Sequence, residues 1–281
     1  MLNIFMILLN STRGFMVNLF HCARIFSIFC LGGVFVHPVW GGELAHTIDS
    51  IKPAIVGIAS FKKTRSPAVI PMGTGFVVGD GLNVITNAHV ILDVLDSASL
   101  ESPGAIKESL RIISGRGVAP EFREAVVVAV DKEHDIAQLK ISGTPLPVME
   151  LGDSGSVKEG QSLAFTGFPI GMILGFYPVT HRGMVSAITP VVMPALSSAK
   201  LELKTIAQLK KSAFAVFQLD GTAYPGSSGS PLYDPETGVV YGIINMVYVK
   251  GLKEAALSQP SGISYAIPGN FIRDMLRQNQ P

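Results

Sequence analysis

From Ile51 onward, short runs of β-branched and aliphatic residues alternate with clusters of Gly, Pro, Asp and Asn: AIVGIAS, GTGFVVGDGLNVITNAHVI, REAVVVAVD, DIAQLKI, QSLAFTGFP, HRGMVSAI, AVFQLD, GVVYGIINMVYV and GISYAI. Apolar runs of this length bounded by turn formers are strand signals. Few long amphipathic patterns interrupt them, so the chain is expected to be all-β, either closed barrels or a sandwich, and not alternating βαβ units. Three segments depart from strand character. Residues 91–110 are polar and mixed, which predicts a short helix after His89 and then a loop. In the segment Ala195–Lys211, Leu196, Leu203, Ile206 and Leu209 recur at a spacing closer to a helix than to a strand. After Pro268, the run PGNFIRDMLRQNQ places Phe271, Ile272, Met275 and Leu276 on one face, predicting a terminal helix docked on the body.

Composition narrows the class. Of 281 residues, 48% are hydrophobic and 15% charged, with 29 Gly and 18 Pro, which excludes disorder, collagen and coiled coil. A net charge of +1 leaves no basic face to neutralise phosphates, so nucleic acid is not an expected partner. Residues 1–40 carry Arg13 and Arg24, no carboxylate, and the apolar stretch Ile25–Val36. That stretch fits the core of a secretory signal peptide and is shorter than the ~20 residues a membrane-spanning helix needs. The reading is a signal peptide or an N-terminal membrane anchor, with Met16 as an alternative start. Both cysteines, Cys22 and Cys30, fall within this leader, so a processed chain would hold no disulfide.

The strongest local chemical signal is TAYPGSSGSPLYD at 222–234, a serine enclosed by small residues between two strand-like runs. Such a turn lets backbone amides converge beside a hydroxyl, which an oxyanion hole requires. A hydroxyl at its ordinary pKa is a poor nucleophile and needs a base within reach and a third group to orient that base. His89, in VITNAHVI directly after a strand, is a candidate base; Asp135, in DKEHDIAQLKI ahead of an apolar run that would bury it, is a candidate partner for the imidazole. Each of these residues taken alone also fits a plain structural role: a loop serine, a strand-end histidine, a paired carboxylate.

TNAHV at 86–90, HDIAQLKI at 134–141 and GSSGSP at 226–231 together resemble the three signatures of trypsin-like serine endopeptidases, and most closely those of the HtrA (Deg) family of bacterial envelope proteases. GTGFVV at 73–78, LGDSGSVKEGQ at 151–161, GFPIG at 167–171, HRGMVSAI at 181–188 and GISYAIP at 262–268 resemble that family too, in its order, so the likeness spans about residues 50–276. The resemblance implies two packed six-stranded antiparallel β-barrels with a C-terminal helix, the N-terminal barrel over 48–150 and the C-terminal barrel over 151–281. It implies Ser228 as nucleophile, His89 as general base and acid, Asp135 as the group holding the imidazole, and an oxyanion hole at Gly226, Ser227 and Ser228. The chain would then hydrolyse polypeptide substrates in the periplasm or outside the cell, tethered to the membrane if the leader stays, and homo-oligomers are common among such proteins. A catalytically inactive binding or scaffold protein on the same fold is the alternative. No PDZ domain is expected before Pro281.

Two residues depart from the family pattern: Ser227 stands where Asn is usual and Ser230 where a second Gly is usual, so a loop needing positive φ at 230 would be strained. By the same carry-over, Thr222, Ala223, Ile244, Asn245 and Met246 would shape a specificity pocket for a small or medium apolar side chain, and no aspartate stands at its floor to favour Lys or Arg. The second GDSGS, at 152–156, is expected to be a surface turn joining the barrels, Ser154 included. His134 is expected to face solvent if Asp135 points inward, and His181 to be a surface or strand-end histidine. The remaining histidines form no pair at metal-ligand spacing, so neither metal nor cofactor is expected.

Overall fold

The computed structural model describes residues 43–100, 107–115, 117, 120–169, 175–190, 214–245 and 262–279. The leader, the helical segment expected at Ala195–Lys211 and the pocket residue Met246 lie outside the described residues. Twelve strands follow one another: β1 (Ile55–Phe61), β2 (Val69–Val78), β3 (Asn83–Thr86), β4 (Ser109–Ser114), β5 (Glu121–Asp131), β6 (Ile136–Ile141), β7 (Ser162–Gly167), β8 (Val179–Pro190), β9 (Ala215–Asp220), β10 (Pro231–Tyr233), β11 (Val240–Asn245) and β12 (Ile263–Pro268). They close into two antiparallel barrels, β1-β2-β3-β6-β5-β4 and β10-β11-β12-β9-β8-β7. Of the two all-β architectures the hydrophobic pattern leaves open, the chain adopts the barrels.

Three apolar clusters explain why many strands read as continuous runs. Val56, Ile58, Val77, Val84, Ile112 and Leu139 fill the first barrel, and Leu163, Phe165, Val185, Phe217, Leu232 and Ile244 fill the second. A third cluster, with Ile55, Phe76, Phe168, Tyr233, Ile243 and Ile267, lies where the barrels meet. Successive side chains of a strand point to opposite faces. On β1, Val56 and Ile58 therefore enter the barrel while Ile55 and Ala59 enter the junction, so both faces are buried. β11 divides Ile243 and Ile244 in the same way.

Among the described residues, three α-helices decorate the barrels: α1 (Glu43–Ile51), α2 (Ala88–Leu100) and α3 (Asn270–Gln278). The helix expected after His89 begins at Ala88, one residue before it, so His89 sits in its first turn. α3 matches the expected terminal helix, burying Ile272 and Met275 in the junction with Phe271 and Leu276 packed beside them. Among the described residues, no helix is long and apolar enough to cross a membrane.

Candidate active site

Strand register closes the gap between His89 and Asp135. β3 pairs antiparallel with β6, Thr86 opposite Ala137; continuing that register brings the start of α2 opposite the residue before Ile136. The main chain then locks the juncture: Asp135 O accepts hydrogen bonds from Ala88 N at 3.2 Å and from Asn87 Nδ2 at 3.0 Å. The Asp135 side chain caps α2 from outside the helix, its Oδ1 accepting from His89 N at 2.7 Å. An anion is favoured there because the first amides of a helix lack intrahelical partners and carry partial positive charge.

The other carboxylate oxygen, Oδ2, lies 2.6 Å from His89 Nδ1. An ionised carboxylate can only accept, so Nδ1 carries the proton and Nε2 is left as the basic nitrogen. Oδ2 also accepts from Asn245 Nδ2 at 2.7 Å, a residue at the end of β11 in the opposite barrel. Asp135 thus meets three side-chain or amide donors with its carboxylate, and the His89 and Asp135 side chains stay only 24% and 17% exposed.

The loop 225–230 reaches this pair from the second barrel. Gly226 and Gly229 take φ of +97° and +88°, conformations open to glycine. Ser230 is not among the positive-φ residues, so the strain that a serine could bring to this position does not arise. The loop is held to the first barrel at Thr74 of β2: Thr74 N donates to Ser228 O at 2.8 Å, and Thr74 Oγ1 to Gly226 O at 2.8 Å. A Cβ placed on Gly73 would sit 3.0 Å from both Ser228 O and the Val90 methyls, which puts the Ser228 backbone beside the residue following His89. Gly229 packs tightly enough that a Cβ there would collide with Thr74 O. Within its own barrel the loop is tied by Gly229 N to Ile244 O at 3.0 Å and Ile244 N to Ser230 O at 2.9 Å.

Among the described residues, the amides of Gly226 and Ser228 make no hydrogen bond, and neither does Ser228 Oγ. The His89–Asp135 link is therefore formed while the Ser228–His89 link is not. Such contacts commonly tighten only when substrate is bound.

Several sequence expectations need correction. Ile244 is fully enclosed in the second-barrel core, where Ala223 also packs, and Asn245 turns to Asp135. Alternation along β11 sends these two neighbours to opposite sides. Thr222 is half-buried. Ser154 is no surface serine: it is 5% exposed, its Oγ accepting from Asn270 N at 3.0 Å and its own N donating to Asn270 Oδ1 at 3.2 Å. His134 does not face solvent but stacks on Phe271, ring centroids 3.9 Å apart. His181 stacks on Phe165 at 5.1 Å with Nε2 buried and unpartnered, and burial lowers its pKa, keeping the ring neutral.

Sequence reasoning missed Asn87 and Thr74, and missed the bond from Asn245 to Asp135. A signal existed for Asn245, because an amide closing the apolar run GVVYGII must find a buried partner.

Comparison with known proteins agrees with this architecture. The model of the trypsin-like peptidase domain matches residues 73–243. Bovine mitochondrial serine protease HTRA2 is 30% identical over 242 residues, covering 84% of this chain and 43% of that protein. A probable periplasmic serine endoprotease, DegP-like, from Halomonas elongata is 28% identical over 208 residues, covering 74% of this chain and 35% of that protein. The chain thus spans less than half the length of these curated relatives. The crystal structure of Deg5 superimposes with a TM-score of 0.58 at 20% identity, covering 82% of this chain and 90% of that one, and the HtrA-type protease AlgW with a tripeptide gives 0.56 at 22% identity. The chain belongs to the trypsin-like peptidase family, and its domain is of the HtrA type.

Proposed function

We propose that the chain is a serine endopeptidase that cleaves polypeptides through an acyl-enzyme, with Ser228, His89 and Asp135 as its triad. The observation that carries this reading is the Asp135 carboxylate, bonded at once to His89 Nδ1 and to Asn245 across the barrel junction, beside a loop that presents Ser228. Ser228 Oγ bonds to the scissile carbonyl carbon as its proton passes to His89 Nε2. Asp135 holds the imidazole in the right tautomer and stabilises the imidazolium that forms. The amides of Gly226 and Ser228, without a partner among the described residues, receive the negative charge that develops on the carbonyl oxygen. Ser227 supports those amides through its carbonyl, which accepts from Ser230 N at 3.0 Å and tightens the turn. Collapse of the tetrahedral species expels the amine, which takes the proton from Nε2, and water releases the acyl group by the same steps in reverse.

The periplasm or extracellular space is the proposed location, from the leader-like residues 1–40 and the DegP-like relatives. A homo-oligomer and a tether through the N-terminal segment belong to the same reading. With Thr222 and Ala223 ahead of the nucleophile loop and no carboxylate there, cleavage after Lys or Arg is not expected.

Labelling with a fluorophosphonate probe tests the assignment. The parent protein and Ser154→Ala should both be labelled, and Ser228→Ala should not. Labelling that survives in Ser228→Ala and disappears in Ser154→Ala would reverse it; a parent protein that is folded yet never labelled would favour the inactive binding protein.

A further inference from the structure

The turn between β5 and β6 carries more interactions than a short connection requires. Asp131 Oδ1 accepts from the amides of Glu133 and His134, each at 3.0 Å, and Asp131 Oδ2 lies 2.6 Å from His134 Nδ1. Burial works to raise the Asp131 pKa, but hydrogen bonds from the His134 ring and amide outweigh it and the net shift is downward, so the carboxylate remains an acceptor. The His134 ring lies flat on Phe271 in the first turn of α3, 3.9 Å between centroids and 18° between planes, and edge-on to Phe214 at 4.7 Å.

The next residue is Asp135, at φ +54°, the only non-glycine with positive φ among the described residues. That conformation costs roughly 1–2 kcal/mol for an L-residue and persists only where its surroundings over-determine it. The hydrogen bonds to Asp135 itself come from Asn87, Ala88, His89 and Asn245, none of them in the turn. On the turn side, the grip belongs to His134. Asp131, His134 and Phe271 also border an open cavity of about 670 Å³, so the turn has room to shift once that grip is released.

We infer that His134 is a positioning residue for the Asp135 carboxylate: bonded to Asp131 and stacked on Phe271, it holds the turn that keeps Asp135 left-handed and joins the terminal helix to the triad. The inference rests on the reading of Asp135 as the triad acid. His134 touches no reacting atom; it acts through the backbone of the residue it precedes. The start of α3, on which His134 stacks, is itself bonded to the connection between the barrels through Ser154 and Asn270.

The test is steady-state hydrolysis of casein, as an unfolded polypeptide, by the full chain and three variants, with thermal melting to establish folding. His134→Phe keeps an aromatic ring against Phe271 and lacks the donor to Asp131. It should lower kcat about tenfold with KM unchanged, the scale expected when a reacting group is displaced by a fraction of an ångström. His134→Asn restores a donor to Asp131 and should recover kcat to within about threefold of the parent. Asp135→Asn separates the two readings. If it is inactive while His134→Phe keeps the parent kcat, the positioning role is overturned and the triad stands; if Asp135→Asn keeps full activity, the triad assignment fails and the positioning role with it.

Discussion

Two loops of this chain are nearly the same in sequence, GDSGS at 152–156 and GSSGS at 226–230, and the fold uses them differently. The first forms a 3-10 turn, Ser154–Ser156, entered through Asp153, whose carboxylate accepts from Gly155 N at 2.9 Å and Asn270 Nδ2 at 2.8 Å. Its serine is spent on capping α3. The second turns on two left-handed glycines and lays its carbonyls against Thr74 of the opposite barrel, leaving the Ser228 hydroxyl and two amides without partners among the described residues. A Gly-Ser cluster therefore does not define a nucleophile. What defines it is the surface the turn is pressed against, and whether that surface consumes the polar groups or leaves them for a substrate.

The comparison can be broken most sharply at its glycines. Gly229→Ala forces a methyl into Thr74 O at a positive φ and should cost about 3 kcal/mol or more, with loss of peptide hydrolysis. Gly155→Ala, whose added methyl would come no nearer than 3.2 Å to the Asp153 carboxylate, should change stability by roughly 1 kcal/mol at most and leave activity intact. Urea unfolding alongside a casein assay measures both, and equal losses in the two variants would erase the distinction. Asn245→Ala removes the donor that the second barrel extends to Asp135. Losing a hydrogen bond to a charged group costs about 1.5–3 kcal/mol, so kcat/KM should fall roughly tenfold to a hundredfold. Ser154→Ala should lower stability by about 1 kcal/mol, the usual cost of a lost cap, seen as a reduced melting temperature with kcat/KM unchanged.

The smallest effect concerns pH. The Asp153 pKa is lowered from its ordinary 3.8 by the hydrogen bond from Asn270 and then by that from Gly155 N. A carboxyl depressed on folding stabilises the protein above its unfolded pKa and loses that contribution as pH falls through the folded value. Melting temperatures of the parent and Asp153→Asn should accordingly differ near neutral pH and converge well below pH 3.8.

Much of the fold could be read from local pattern. Strand runs bounded by Gly and Asp became the strands of both barrels, and the face of Phe271, Ile272, Met275 and Leu276 became α3. Legibility failed where a residue's partner is distant in sequence. Strand alternation would send His134 to solvent with its neighbour Asp135 pointing inward, yet the turn made by Asp131 carries it onto Phe271. Ile244 and Asn245 are neighbours in sequence, but adjacent strand residues point oppositely, one into the barrel and one toward Asp135. Ser230 looked like a strained substitution, and the positive φ falls instead on Gly229 beside it.

By itself, the sequence determined the all-β character, the positions of the turns and the chemical types available at 89, 135 and 228, because these follow from side-chain periodicity and backbone preference over a few residues. Tertiary structure alone decided which Gly-Ser loop keeps its hydroxyl free, that Asn245 completes the Asp135 carboxylate and that His134 braces the turn before it. Those outcomes depend on hydrogen bonds and ring contacts between segments more than a hundred residues apart, which exist only once both barrels have closed and packed together.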